Sequence, residues 1–213
     1  MIARQARQAS VNYIDATPWS CRNTLEWLWV MARARVAFSM LHPRRSKEAF
    51  AALIDEWEGS LVSDGYGVYH HGVAARQTCL AHLIRTARAL AERSHAAMAA
   101  CGAWALAALP RLGHMAKAPP TGGEWRAWDA RVCKRIDQYH DRQDEAGRLV
   151  RRLLREMDSL WVFLAHHGVA PTNNRAEVRF VDQKPALNKV WGIGPERKSS
   201  DAREFENLLP VSV

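Results

Sequence analysis

The 213-residue chain is long enough for one substantial core or two small ones, and with 48% hydrophobic and 24% charged residues it has the composition of a folded protein. Its 30 lysines and arginines outnumber 22 aspartates and glutamates, giving a net charge of +8 and a pI near 9.7; this favours a polyanionic partner, nucleic acid first, over a merely solvated basic surface. Cysteines at 21, 79, 101 and 133 form no CxxC pair and exclude a secreted disulfide framework. The N-terminus has no apolar leader, and the apolar stretch from Ala96 to Leu109 is broken at Cys101-Gly102, so a soluble, cytoplasmic protein with no membrane span is expected.

Val11 to Asp15 reads as a short strand ending on an acid, with Thr17-Pro18 as its stop. Leu25–Met31 and Val36–Leu41 follow as two strands of an antiparallel meander. Ser46 to Trp57 places Phe50, Leu53, Ile54 and Trp57 on one helical stripe, with Ser46 as N-cap. Leu61-Val62-Ser63-Asp64 is a second buried strand ending on an aspartate, and Gly65-Tyr66-Gly67 turns the chain away. From Ala75 to about Cys101 the pattern is helical, with Leu80, Leu83, Ile84, Ala87 and Leu90 on one face. Pro110 interrupts it, Pro119 to Gly123 is a loop, and Glu124 to about Gly168 forms one or two further helices. A last helix opens near Asn174, and the polar, basic tail from Val178 is weakly specified. The order gives a mixed α/β core interrupted by a helical segment.

Asp15, Asp64 and Glu177 are the residues that could do metal chemistry, because two divalent ions clamping a phosphoryl transfer need a small cluster of hard oxygen ligands. The plainer reading makes the aspartates loop caps and Glu177 a surface acid at a helix N-terminus. Cys79 and His82, three residues apart, share a helical face, but no further zinc-type pair accompanies them, so they read as support beneath the acidic site. The adjacent histidines His70-His71 and His166-His167 diverge around a helix and make no joint site. No Ser-His-Asp set, GxGxxG loop or P-loop is present. Arg44, Arg45, Arg175, Arg179, Lys184 and Lys189 are candidate phosphate contacts, with Arg148, Arg151, Arg152 and Arg155 either joining them or forming a wet helix face. Trp125 or Trp191 could stack on an unpaired base.

Several blocks resemble the transposases of the IS66 insertion-sequence family: Tyr13-Ile14-Asp15-Ala16-Thr17 with Trp27-Leu28-Trp29-Val30, Leu61 to Tyr66, Gln77 to Arg85, and Pro171-Thr172-Asn173-Asn174-Arg175-Ala176-Glu177. They occur in the family's order over most of residues 11 to 194. Ala16 departs from the family's usual glutamate and Val178 from its usual arginine.

The resemblance implies a DDE catalytic domain, that is, an RNase H-like mixed sheet flanked by helices, with an all-helical insertion between the second and third catalytic acids. Residues 1–85 would begin the core, 86–168 form the insertion, and 169–213 carry the last catalytic helix and basic tail. Asp15, Asp64 and Glu177 match the three metal-binding acids, with Cys79, His82 and Asn174 as structural support. Mg²⁺, or Mn²⁺ in its place, would activate water to nick a strand and then the freed 3′-hydroxyl to attack target DNA. Expected partners are DNA (element ends and target), a second copy of the chain on DNA, and accessory proteins of the same element, in the nucleoid. Family members carry N-terminal zinc-binding and recognition segments that this sequence does not show. The chain is therefore expected to be a truncated core, the alternative being an inactive remnant that only binds DNA or oligomerises.

Overall fold

The computed structural model describes residues 2–21, 24–33, 36–115 and 117–179. A five-stranded mixed sheet of order β3-β2-β1-β4-β5 lies at its centre. The strands are β1 (Val11–Cys21), β2 (Thr24–Ala32), β3 (Ala37–His42), β4 (Ser60–Ser63) and β5 (Ala75–Thr78). β1, β2 and β3 form the expected antiparallel meander, whereas β1, β4 and β5 run parallel. Helices flank the sheet on both faces, which is the α/β class read from the sequence.

Side-chain alternation sorts the two faces. Ile14, Ala16, Trp29, Met31 and Leu61 point to one side, against α1 (Ile2–Arg7) and α2 (Lys47–Ile54) through Ala6, Ala49, Phe50, Leu53 and Ile54. Ser46 caps α2 as expected, its hydroxyl accepting from the Ala49 N–H, and α2 stops at Asp55, which has φ of 55°. Tyr13 and Val62 point to the other side, against α3 (Leu80–Ala91), α4 (Ala96–Met115), α5 (Gly122–Tyr139), α6 (Glu145–Arg155) and α7 (Val162–Ala165). Residues 174–179 are again helical and are called α8.

Several expectations fail for identifiable reasons. Thr17-Pro18 does not stop β1: β4 pairs with β1 only over Val11–Tyr13, so farther along β1 has one partner and tolerates a proline. Asp15 therefore lies within β1, not at its end. The stretch from Ala75 to Cys101 is not one helix. Ala75–Thr78 is a strand, and the chain breaks again between Ala91 and Ala96. Nor do Gly102 and Pro110 break α4, which runs twenty residues and is long and apolar enough to cross a membrane by length and composition, contrary to the expectation from sequence. It packs instead on α3. A Cβ at Gly102 would sit 2.2 Å from the Ala91 nitrogen, so the glycine permits the close helix crossing. Cys101, Ala105, Leu109 and Leu112 are buried at the contact.

Polar side chains join the helices to the sheet. Gln77 of β5 donates to the Leu160 carbonyl at 3.1 Å and accepts from the Phe163 N–H at 3.1 Å. Beside it, the buried pair Arg76–Glu156 (3.3 Å) ties β5 to the end of α6, with the Thr78 hydroxyl donating to Glu156 and Arg152 adding a bond at 3.2 Å. Burial would raise the Glu156 carboxyl, but Thr78, Arg152 and Arg76 outweigh it and hold it below its ordinary range. Both members of the pair are less than 5% exposed, so removing one leaves an uncompensated buried charge. Glu156→Ala should lower unfolding free energy by about 3–5 kcal/mol in urea titration; a loss under about 1 kcal/mol would mean that Arg76 finds water or another partner.

Candidate active site

The register of the parallel strands brings the acids together. Tyr13 pairs with Val62, and Val62 with Gln77, so these three residues form a row across β1, β4 and β5 on the face that carries α3 to α7. Two residues farther on each chain stand Asp15, Asp64 and Cys79. The alternation returns them to that same face, and neighbouring strands lie about 4.8 Å apart. Such a row lies at the carboxyl edge of parallel strands, where α/β proteins place their ligands.

α8 is laid over this edge by one residue. Asn173 is fully buried; its Nδ2 donates to the Ile14 carbonyl at 3.0 Å and its backbone N–H to the Cys79 Sγ at 3.2 Å. Its own carbonyl accepts from the Ala176 N–H at 3.0 Å, opening the helix. The clamp is thus Asn173, not the expected Asn174. Of two adjacent asparagines, the one at the N-cap position has non-helical backbone and a side chain free to reach outward. Leu80 N–H also donates to the Pro171 carbonyl at 2.9 Å, fixing the preceding turn to the start of α3.

Asp64 is held on both oxygens, by Arg45 Nη2 at 2.9 Å and by the Tyr66 N–H at 2.9 Å. Arg76 Nη1 donates to its backbone carbonyl at 3.0 Å, so the buried Arg76–Glu156 joint also fixes this turn. Arg45 is itself ordered by rings: its guanidinium lies 4.1 Å from the Tyr66 centroid and 5.4 Å from that of Trp27. The structure thus makes Arg45 a direct partner of an acid. Asp15 accepts from the Ala16 N–H at 2.8 Å. Glu177 Oε1 is buried without a hydrogen-bond partner, with His82 Nε2 3.7 Å away.

Electrostatics registers the crowding. Asp15 is raised to about 7, first by burial and then by the charge of Asp64, with Glu177 adding to the shift; the Ala16 N–H and Arg45 oppose it. Burial holds His82 below the usual histidine range, while Glu177 and Asp64 pull it up and Arg85 and Arg152 push it down. Burial likewise pushes the Cys79 thiol to about 11. Cys79, His82 and Glu177 offer donor atoms within 4.8 Å of one another, so the CxxH pair acquires a third neighbour that no local motif could reveal. Burial thus disfavours the thiolate of Cys79 and the charged ring of His82.

The other expected residues are more scattered. Arg44 is exposed, Arg175 is exposed with its guanidinium 5.1 Å from the Tyr13 ring centroid, and Arg179 lies on α8. Lys184, Lys189 and Trp191 lie outside the described residues. Trp125 stacks on Trp128 and meets Trp161 edge-on, which makes it part of the core of the helical block and not a free stacking platform.

A basic chain with an acidic edge at its sheet is the build of a nucleic-acid-processing enzyme. A family model described as Transposase IS66 family matches residues 1–181, and the chain belongs to that family. Membership implies DNA as a partner and use of a divalent metal. No curated protein and no solved structure matches the chain.

Crowding has a measurable cost. Between about pH 4 and pH 7 the folded protein keeps the Asp15 proton that the unfolded chain has lost, so stability falls as pH rises through that window. Asp15→Asn should therefore stabilise the metal-free protein at pH 8 by on the order of 2 kcal/mol, allowing for partial exposure, with the gain vanishing near pH 4. Thermal melts in EDTA at both pH values measure this, and equal melting temperatures at pH 8 would contradict the raised carboxyl.

Proposed function

We propose that the chain is the catalytic core of a DDE-type transposase, with Asp15, Asp64 and Glu177 as the three acids that hold Mg²⁺, or Mn²⁺ in its place. The observation that supports the reading is the placement of Asp15 and Asp64 two residues past one paired row, with the charges of Asp64 and Glu177 both raising the Asp15 carboxyl. An RNase H-like core is supported by the strand order and by the positions of the acids: the first on β1, the second just past β4, the third on a late helix. On that reading the helices between β5 and α8 are an insertion separating the second and third acids.

The donor set suits a hard divalent ion. Three carboxylates offer oxygens only, and a buried Glu177 oxygen with no donor is what a cation would satisfy. Bound there, such an ion would stabilise charge on the scissile phosphate and make water or a 3′-hydroxyl a better nucleophile. The chain's own residues orient the acids. Arg45 and the Tyr66 N–H fix Asp64, Asn173 fixes the helix that carries Glu177, and His82 lies against Glu177, with burial disfavouring its charged form. Arg44, Arg175, Arg179, Lys184 and Lys189 are assigned to the DNA backbone. The reaction is strand cleavage at the ends of an insertion sequence followed by transfer to target DNA, carried out by an assembly of copies on DNA, with accessory proteins of the element as further partners.

The test uses labelled DNA carrying candidate element ends, with Mg²⁺, Mn²⁺ or EDTA. Strand cleavage should require metal and should fall at least about a hundredfold in Asp64→Asn, the scale at which loss of one charge-organising group is felt. Equal cleavage by that variant sinks the assignment of the acids.

A further inference from the structure

Next to Asp64 the surface opens into a cleft of about 280 Å³, lined by residues from three separate parts of the chain. Arg45 and Tyr66 come from the sheet side, Arg85 from α3, and Arg152 from α6 of the helical block. Three guanidinium groups line it together with the carboxylate of Asp64; Arg45 is bonded to Asp64 and Arg152 to the buried Glu156 behind the wall. The cleft sits beside the acidic row, with guanidinium groups on three of its walls.

Arg152 is held here by design of its neighbours. Its Nε donates to the buried Glu156 at 3.2 Å, which anchors one edge of the guanidinium. On the other side stands Gly65, where a Cβ would come within 2.3 Å of Arg152 Nη2 and 2.7 Å of Glu156 Oε1. Any side chain at 65 would have to displace that guanidinium. Gly65 is thus a close-approach glycine, and the feature it admits is the Arg152–Glu156 pair of the helical block, with the Arg152 guanidinium nearest the turn after Asp64.

We propose that this cleft binds a phosphodiester of the DNA strand next to the one that is cut, with Arg152 and Arg85 as its positioning residues and Arg45 completing the wall. Guanidinium groups converging from different elements suit the oxygens of a phosphate, which they can grip in pairs. A cleft below the roughly 300–1,000 Å³ of a drug-sized pocket suits one phosphate with its sugar. The assignment gives the helical block a direct part in holding substrate. It rests on the reading that DNA crosses this sheet edge.

The probe is thymidine 3′,5′-bisphosphate, titrated by calorimetry or NMR at fixed ionic strength in EDTA, with inorganic phosphate as comparison. Because no cleavage is needed, the result is independent of catalysis. Arg152→Gln and Arg85→Gln should each weaken the bisphosphate by about tenfold or more, the scale of one charge-assisted hydrogen bond. Gly65→Ala should do the same without changing net charge. Arg131→Gln, an exposed position on α5, removes the same charge elsewhere and should leave affinity unchanged. Each variant is checked by circular dichroism, and Arg85→Gln remains informative if changes next to Glu156 disturb folding. Equal losses with Arg131→Gln would reduce the effect to net charge and overturn the site. Inorganic phosphate binding as tightly as the bisphosphate would make it a free-anion site and overturn the DNA assignment. Unchanged affinity in folded Arg152→Gln and Gly65→Ala also overturns it, even where the parent cleaves DNA with Mg²⁺; loss of cleavage with pocket binding intact would instead count against the proposed chemistry alone.

Discussion

The parallel pairing of β1 with β4 is the constraint on which the rest depends. Because side chains alternate along each strand, the Tyr13–Val62 pairing commits Asp15 and Asp64 to the same face, two residues beyond. A slip of one residue would send either acid to the opposite face, among Phe50 and Leu53. The buried core thus enforces the geometry of the acids: the register that buries Ile14 and Leu61 on one face also crowds two carboxylates on the other. Crowding like charges costs stability, and the raised Asp15 carboxyl is where that cost appears. The protein tolerates it because Arg45, Tyr66 and Asn173 hold the surrounding groups in place.

A second polar joint carries the helices. Glu156 receives Thr78, Arg76 and Arg152, and Arg76 also reaches the carbonyl of Asp64. One buried carboxylate therefore connects β5, the turn after β4 and the end of α6. Tyr13 extends the connection to the chain entering α8, its hydroxyl accepting from the Ala170 N–H at 3.2 Å. These bonds explain why a block of five helices can meet the sheet edge at a defined place. Hydrophobic contact alone is not directional, whereas buried polar partners fix register.

Much of this was legible in the sequence where local pattern and burial agree. The meander, α2 with its Ser46 cap, the buried run before Asp64 and the helix opening at the asparagine pair all follow from periodicity and capping. β5 escaped because Ala75-Arg76-Gln77-Thr78 has no apolar alternation; it is a strand whose inward residues are polar and satisfied by Leu160, Phe163 and Glu156. Only partners more than seventy residues away make that tolerable. Pro18 and Pro110 misled in a different way, since both lie inside regular elements that tertiary packing maintains. The three acids could be picked out one by one, but the placing of Asp15 and Asp64 on neighbouring strands depends on β-pairing, and that of the Glu177 helix on the Asn173 clamp, neither of which sequence spacing encodes. Glu177 meeting Cys79 and His82, and Arg152 meeting Gly65, are contacts of the same long-range kind.

Whether the three carboxylates form one metal site decides the catalytic assignment. Crystals soaked in Mn²⁺ and measured for anomalous scattering give the most direct answer. Anomalous peaks bonded to oxygens of Asp15, Asp64 and Glu177 are expected, together with their loss in the Asp15→Asn protein. Peaks confined to Cys79 and His82, or no ordered ion at the acids at saturating Mn²⁺, would contradict it.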